Sequence, residues 1–189
     1  MDDLSQNFQK SIKKAIFLDR DGTLNVDYNY VSDPDKIHPI TGTREAVEIF
    51  IRRGFLLFLL TNQPGIEQKI YTREAVEACN RRIIEQLGQP HFTEICIASE
   101  TTCAPEHYRK PSPRFIDEMV EKYRLERREC YMVGDKETDA LAGINAHIHG
   151  ILLDSEYPRS PQCLTLIRRG EIQVFKDLLA FARSLQGEF

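Results

Sequence analysis

The chain predicts an α/β fold, a doubly wound parallel sheet with helices on both faces. Three observations predict it. Short, continuous apolar runs at residues 15–18, 55–60 and 130–133 have strand length and read as strands buried on both faces. Longer stretches between them carry apolar residues at helical spacing, so strands alternate with helices. Each apolar run also ends in polar or glycine-bearing sequence, as expected at the carboxyl edge where open parallel sheets place their ligands.

Residues 1–11 are expected to be a loose lead-in, and the first strand runs over about 14–19. Residues 26–40 carry Asn, Asp, Ser and Pro with Tyr28, Tyr30 and His38, and read as a loop or small flap. A helix follows over about 43–53, with Ala46, Val47, Phe50 and Ile51 on one face and Gly54 as its stop. The second strand, 55–60, ends in Thr61-Asn62-Gln63-Pro64-Gly65. Thr72 caps a helix to about residue 87, in which Val76, Cys79, Ile83 and Leu87 recur at helical spacing. Residues 92–98 form a third strand. Ser112 as cap and Pro113 at the first helical position then open a helix with Phe115, Ile116, Met119, Val120 and Tyr123 on its buried stripe. A fourth strand at 130–133 ends in Gly134-Asp135-Lys136-Glu137-Thr138-Asp139, and a short helix to about 143 precedes an apolar stretch at 148–153. After a proline-bearing loop at 157–161, one helix is expected to close the chain near Leu185. No repeat, low-complexity tract or linker interrupts the pattern, so residues 1–189 are expected to form a single domain.

Composition narrows the function classes. The chain is 41% hydrophobic and 29% charged, as in ordinary soluble proteins, and no apolar run approaches the length of a bilayer. The amino terminus is polar and lacks the apolar core of an export signal, which leads to the expectation of a cytoplasmic protein. Five scattered cysteines with no Cys-Xaa-Xaa-Cys pair are expected to be reduced thiols. A formal net charge of −4 argues against a nucleic-acid surface, although a locally basic pocket is compatible with it.

The chemistry gathers at the strand ends. Asp19 and Asp21, one residue apart at the mouth of the first strand, repel each other unless a cation sits beside them, which suits a divalent ion held by oxygen ligands. One carboxylate can attack while the other handles protons. Alone, Asp-Xaa-Asp-Gly is also an ordinary solvated turn, and so is Thr61-Asn62 after a strand. Lys110 in Arg109-Lys110-Pro111 offers a mobile charge for phosphate oxygens and Arg109 a planar fork, although a basic pair before a helix is commonly just solvated.

Taken together, Asp19-Arg20-Asp21-Gly22-Thr23-Leu24-Asn25, Thr61-Asn62, Arg109-Lys110-Pro111 and Gly134-Asp135-Lys136 resemble motifs I to IV of the haloacid dehalogenase superfamily. The likeness is to its small histidinol-phosphatase and heptose-bisphosphate phosphatase group, and it runs from Lys14 to about Leu153 with no large cap insertion. The resemblance implies a Rossmann-like sheet and a magnesium-dependent phosphomonoester hydrolase working through an aspartyl-phosphate. It implies catalytic roles for Asp19 (nucleophile), Asp21 (acid and base), Thr61 and Lys110. Metal binding falls to Asp19, Asp135 and, through its carbonyl, Asp21. Substrate contacts fall to Arg20, Asp27, Tyr28, Asn29, Tyr30, Asn62, Gln63, Arg109 and Lys136. Asp139 is read as a supporting acid or helix-start partner, not a direct ligand.

The loop before Arg109 departs from the pattern. Many of the group carry a structural zinc there, whereas this loop holds only Cys103 and His107, so no zinc is expected. The expected partner is a small phosphorylated metabolite and the expected state a monomer, without nucleic acid or membrane. The leading substrate is D-glycero-D-manno-heptose 1,7-bisphosphate, dephosphorylated at position 7, and histidinol phosphate or another small sugar phosphate is the alternative. A non-catalytic phosphosugar-binding module and a DNA-end phosphatase are the readings from further afield. The intact acids argue against the first, and the missing basic stripe against the second.

Overall fold

The computed structural model describes residues 12–104 and 106–185. The lead-in expected at residues 1–11 lies outside the described residues. Six strands form one parallel sheet: β1 (Lys14–Leu18), β2 (Phe55–Asn62), β3 (Glu94–Ala98), β4 (Cys130–Gly134), β5 (His149–Leu153) and β6 (Ile172–Phe175). Their spatial order is β3-β2-β1-β4-β5-β6, with every pair parallel. The order reverses beside β1, the switch point at which open sheets of this kind leave a crevice beyond the strand ends.

Strand alternation divides the core. Ile16 and Leu18 face one side of the sheet, with α1 (Thr43–Arg52), α2 (Arg73–Gln86) and α6 (Leu178–Ser184) packed there through Val47, Phe50, Cys79, Ile83 and Phe181. Ala15 and Phe17 face the other side, against α3 (Arg114–Tyr123) and α4 (Glu137–Asn145). A smaller cluster of Ala140, Leu152, Cys163 and Ile172 seats α5 (Pro161–Arg168) near α4. The fold is the doubly wound α/β sheet that the alternating pattern predicts, without a large cap domain. Among the described residues no helix is long and apolar enough to cross a membrane.

Local signals act as read in most places. The Thr72 hydroxyl accepts from Ala75 N–H and caps α2, and Gly54, at φ 77°, turns the chain out of α1 into β2. Residues 26–40 form a flap with one short 3₁₀ turn, Pro34–Lys36. Three elements differ. Pro113 is itself the cap of α3, with the Ser112 hydroxyl accepting from Arg114 N–H, so the helix starts one residue later than expected. β2 runs two residues further, and Thr61 and Asn62 pair with Ile97 and Ala98 inside the sheet.

The expected single closing helix is two helices with β6 between them. Gly170, at φ 74°, ends α5, and Ile172 to Phe175 then pair with β5 as the edge of the sheet. Only Ile172 of that strand is fully buried, so its apolar signal is weak.

Phe58 stacks on Phe17 across β1 and β2 at 4.7 Å between ring centroids, with Phe115 and Tyr123 of α3 against its edge. All of Phe58 is buried. Phe58→Ala is expected to cost about 3–5 kcal/mol by transfer and cavity terms together, read as a lower urea midpoint at unchanged slope. A loss below about 1 kcal/mol would mean that this face of the sheet is not the packed core described.

Candidate active site

Four strand ends converge on one opening. Lys110, on the segment between β3 and α3, is fully buried and its three ammonium hydrogens are matched by three acceptors: Asp19 Oδ1 at 2.5 Å, Asp139 Oδ1 at 2.6 Å and the Leu60 carbonyl at 2.8 Å. Its position is set by Asn62, whose amide oxygen accepts from Lys110 N–H at 3.0 Å while its Nδ2 donates to the Lys110 carbonyl at 3.2 Å. This two-way grip occupies the Asn62 side chain, so it acts on Lys110.

Asp19, Asp135 and Asp139 form a buried cluster in which one ligand oxygen from each lies within 4.8 Å of the others. Asp139 reaches it because α4 starts tightly: its Oδ2 accepts from Lys136 N–H at 2.9 Å, and Gly134 leaves the space, since a Cβ there would lie 2.1 Å from that same oxygen. Gly22, at φ 85°, does likewise for Asp135, whose Oδ2 would lie 2.1 Å from an added Cβ. Asp139 is both the helix-start partner expected and a member of the carboxylate cluster, which the sequence reading did not anticipate.

The electrostatics follow from burial. Desolvation pushes Asp19 up to about 6 against the pull of Lys110, with Asp139 and Asp21 adding to the rise. Asp135 is pushed up to about 8 by burial and by its neighbours Asp19 and Asp139. Burial draws Lys110 down, but Asp139 and Asp19 outweigh it and hold its ammonium above the ordinary lysine value. Two of the three acids, Asp19 and Asp139, share one fully engaged lysine, and Asp135 Oδ1 is buried with no hydrogen-bond partner. An orphaned carboxylate oxygen beside two more acids fits a hard divalent cation with oxygen ligands.

The Asp21 carboxylate is not part of the cluster. It faces Arg20, which donates from Nε at 3.0 Å and from a terminal nitrogen at 2.6 Å, and it also accepts from Asn25 Nδ2 at 3.2 Å and Gln63 Nε2 at 3.0 Å. Any metal contact by Asp21 is therefore left to its backbone carbonyl.

Gln63 also donates to Thr61 Oγ1 at 2.9 Å and accepts from Tyr71 at 2.7 Å. Arg20 is fully buried and reaches Asn80 of α2 and the Val31 carbonyl. The expectation that Arg20 contacts substrate is thus corrected: its side chain points into the fold and braces Asp21 and the flap. Tyr28 does not line the opening either, but packs edge-on against His38 at 6.3 Å.

The opening is a cavity of about 350 Å³ lined by Asp19, Asp21, Thr61, Asn62, Gln63 and Lys110, and on its outer side by Asp27, Asn29, Tyr30, Arg109 and Lys136. Tyr71, Thr138 and Tyr157 line it too, and the sequence reading gave none of them a role in the site. Asp27 Oδ2 accepts from Lys136 Nζ at 2.8 Å. Burial would raise the Asp27 carboxyl, but that ion pair and the Asn29 N–H hold it below the usual range. Arg109 donates to the Glu100 carbonyl at 3.2 Å. In the loop before it, the Cys103 thiol faces the Arg109 carbonyl at 3.6 Å and the His107 ring faces the Thr102 carbonyl at 3.0 Å.

The sequence pattern of HAD-hydrolase-like proteins matches residues 107–181. The D-glycero-beta-D-manno-heptose-1,7-bisphosphate 7-phosphatase of Pasteurella multocida is 34% identical over 153 residues, covering 75% of this chain and 82% of that protein. The chain belongs to the haloacid dehalogenase superfamily of phosphatases, in the heptose-bisphosphate phosphatase group. A second relative in that group, the D-glycero-D-manno-heptose-1,7-bisphosphate 7-phosphatase of Chlorobaculum tepidum, is 32% identical and covers 88% of each chain.

The crystal structure of D,D-heptose 1,7-bisphosphate phosphatase from B. bronchiseptica, complexed with magnesium and phosphate, superposes with a TM-score of 0.77 over 93% of this chain and 99% of that one. At 24% identity that likeness establishes the fold. As a haloacid dehalogenase phosphatase, the chain is a hydrolase whose strand ends carry the four motifs described.

The raised carboxyls set a pH dependence. Between about pH 4 and the folded values near 6 and 8, the folded protein binds more protons at Asp19 and Asp135 than the unfolded chain does, so without metal its stability falls as pH rises through that window. A bound divalent cation reverses the penalty on the ionised forms. The rise in Tm on adding magnesium chloride is therefore expected to be larger at pH 8 than at pH 6, read by differential scanning fluorimetry. An equal rise at both would contradict cation binding at these carboxylates.

Proposed function

We propose that this chain is a magnesium-dependent phosphomonoesterase that removes the 7-phosphate of D-glycero-D-manno-heptose 1,7-bisphosphate through a phosphorylated Asp19. Asp19, Asp135 and the Asp21 carbonyl would hold the ion, which supplies charge neutralisation for the phosphoryl oxygens. In the first half, an Asp19 carboxylate oxygen bonds to phosphorus as the bond to the sugar oxygen breaks, and Asp21 gives that oxygen a proton. In the second, Asp21 takes a proton from a water whose oxygen attacks phosphorus, releasing inorganic phosphate and restoring Asp19. Lys110 holds the Asp19 carboxylate in place and adds positive charge beside it. Thr61, whose oxygen accepts from Gln63, has its own hydroxyl hydrogen to offer a phosphoryl oxygen. Arg20 and Gln63 fix the Asp21 carboxyl from two sides.

The observation that carries the substrate reading is the pairing of Asp27 with Lys136 in the same opening as Asp19. Histidinol phosphate would need an acid left over for its ammonium and imidazole, and Asp27 already has a cation. Arg109, together with the Asp27–Lys136 pair, which sets a donor and an acceptor side by side, suits a second anionic or hydroxyl-bearing end, as a sugar bisphosphate has. The two curated relatives described above carry the same activity in their names, which supports this choice.

Phosphate release from heptose 1,7-bisphosphate and from histidinol phosphate, each with magnesium and with chelator, tests the reading. Magnesium-dependent turnover of the bisphosphate well above that of histidinol phosphate is expected. Asp19→Asn and Asp21→Asn are each expected to lower kcat roughly 10³-fold or more. Preference for histidinol phosphate, or normal turnover by Asp19→Asn, would overturn it.

A further inference from the structure

Tyr157 sits on the loop between β5 and α5, outside every motif that marks the site, yet its side chain reaches the cavity that holds Asp19. Its hydroxyl donates to Asp27 Oδ2 at 2.9 Å, the same oxygen that accepts from Lys136 Nζ at 2.8 Å. The Lys136 ammonium lies 4.6 Å from the centre of the Tyr157 ring. One aromatic side chain thus touches both members of an ion pair, through its edge and its face.

Three separate loops meet here, after β1, β4 and β5, and each is anchored. Asp27 Oδ1 accepts from Asn29 N–H at 2.8 Å, which braces the left-handed pair Asn29 and Tyr30 at φ 56° and 53°. Ser155 donates to the Asp135 carbonyl at 2.7 Å, and Ser160 N–H donates to Glu137 at 2.7 Å, so the loop that carries Tyr157 is tied at two points to the turn that carries Lys136. The Lys136 side chain is more than a third exposed. Without an aromatic wall and a fixed acceptor, a lysine on a four-carbon stem is free to point into water.

We propose that Tyr157 is a specificity-determining positioning residue, which keeps Asp27 and Lys136 aimed into the cavity so that they read the distal, anionic or hydroxyl-bearing end of a two-headed phosphate ester. It stands away from the reacting phosphoryl group and acts only on substrates long enough to reach the pair. A short aryl phosphate has no such end. The proposal deepens the substrate reading above and rests on it.

The test compares Tyr157→Phe and Tyr157→Ala with the native protein. The substrates are heptose 1,7-bisphosphate and p-nitrophenyl phosphate, with KM and kcat taken separately. Tyr157→Phe loses one hydrogen bond and is expected to raise KM for the bisphosphate roughly three- to tenfold while leaving kcat within about twofold. Tyr157→Ala, which also loses the ring, is expected to do more, and in both variants the loss on p-nitrophenyl phosphate should be several-fold smaller than the loss on the bisphosphate. In a Lys136→Met background, Tyr157→Phe should add less than twofold, since both changes remove the same aim.

Unchanged KM for the bisphosphate, equal losses on both substrates, or full additivity with Lys136→Met would overturn the proposal. Should the native protein hydrolyse the aryl phosphate but not the heptose bisphosphate, the substrate reading fails by itself. The same variants then decide the role of Tyr157 through inhibition of aryl-phosphate hydrolysis by fructose 1,6-bisphosphate and by fructose 6-phosphate. Weaker inhibition by the bisphosphate alone in Tyr157→Phe upholds it, and an equal effect on both inhibitors, or on neither, overturns it.

Discussion

The contact on which the rest depends is the buried ammonium of Lys110 between Asp19 and Asp139. Taking one cation and several carboxylates out of water is expensive, and the attraction between them offsets the cost only where geometry and hydrogen bonding are complete. Here they are complete for the lysine and incomplete for the acids. Lys110 finds three acceptors, two of them charged, while Asp135 keeps an unpartnered oxygen. That imbalance leaves an unsatisfied carboxylate at the sheet's switch point, which a divalent cation with oxygen ligands can satisfy. Much of the surrounding detail serves it, including the absent side chains of Gly22 and Gly134 and the two-way hold of Asn62 on the Lys110 backbone.

A second, separate assembly holds Asp21. Arg20 is spent inside the fold, where it ties the acid to α2 and to the flap at once. The division of labour is chemical. The acid proposed to attack and the acid proposed to move protons are two residues apart, yet one is set against a lysine and its fellow carboxylates, the other against a guanidinium and two amides. Environments that differ this much allow two identical side chains to take different roles. The outer side of the cavity is organised on a third pattern, in which the cation is already matched by Asp27 and an entering ligand meets a pair instead of a bare charge.

The sheet and the order of most of its elements were legible in the sequence because they rest on periodicity and on strand ends, which local patterns report well. The joining of four motifs into one site came instead from the resemblance to the haloacid dehalogenase superfamily, since Thr61-Asn62 and Arg109-Lys110 taken alone read as a turn and a solvated basic pair. β6 was not legible, since only Ile172 among its four residues is fully buried and the strand lies between two helices. Arg20 was misread as a substrate contact although a signal existed: continued alternation past Leu18 turns residue 20 to the face opposite Asp19, toward α2. Asp139 as a cluster member, and Tyr71 and Tyr157 as cavity walls, depend on how loops fold back. No periodicity encodes that, and their neighbours in space lie as far as 130 positions away in sequence.

The measurement that bears most directly on the account is capture of the covalent intermediate. Native protein is mixed briefly with the bisphosphate and magnesium, quenched within the first turnovers, reduced with borohydride and digested for peptide mass spectrometry. Conversion of residue 19 to homoserine, dependent on substrate, is the predicted result. Conversion at Asp135 or Asp139, or at no aspartate while phosphate is still released, would contradict the assignment of Asp19 as the attacking group.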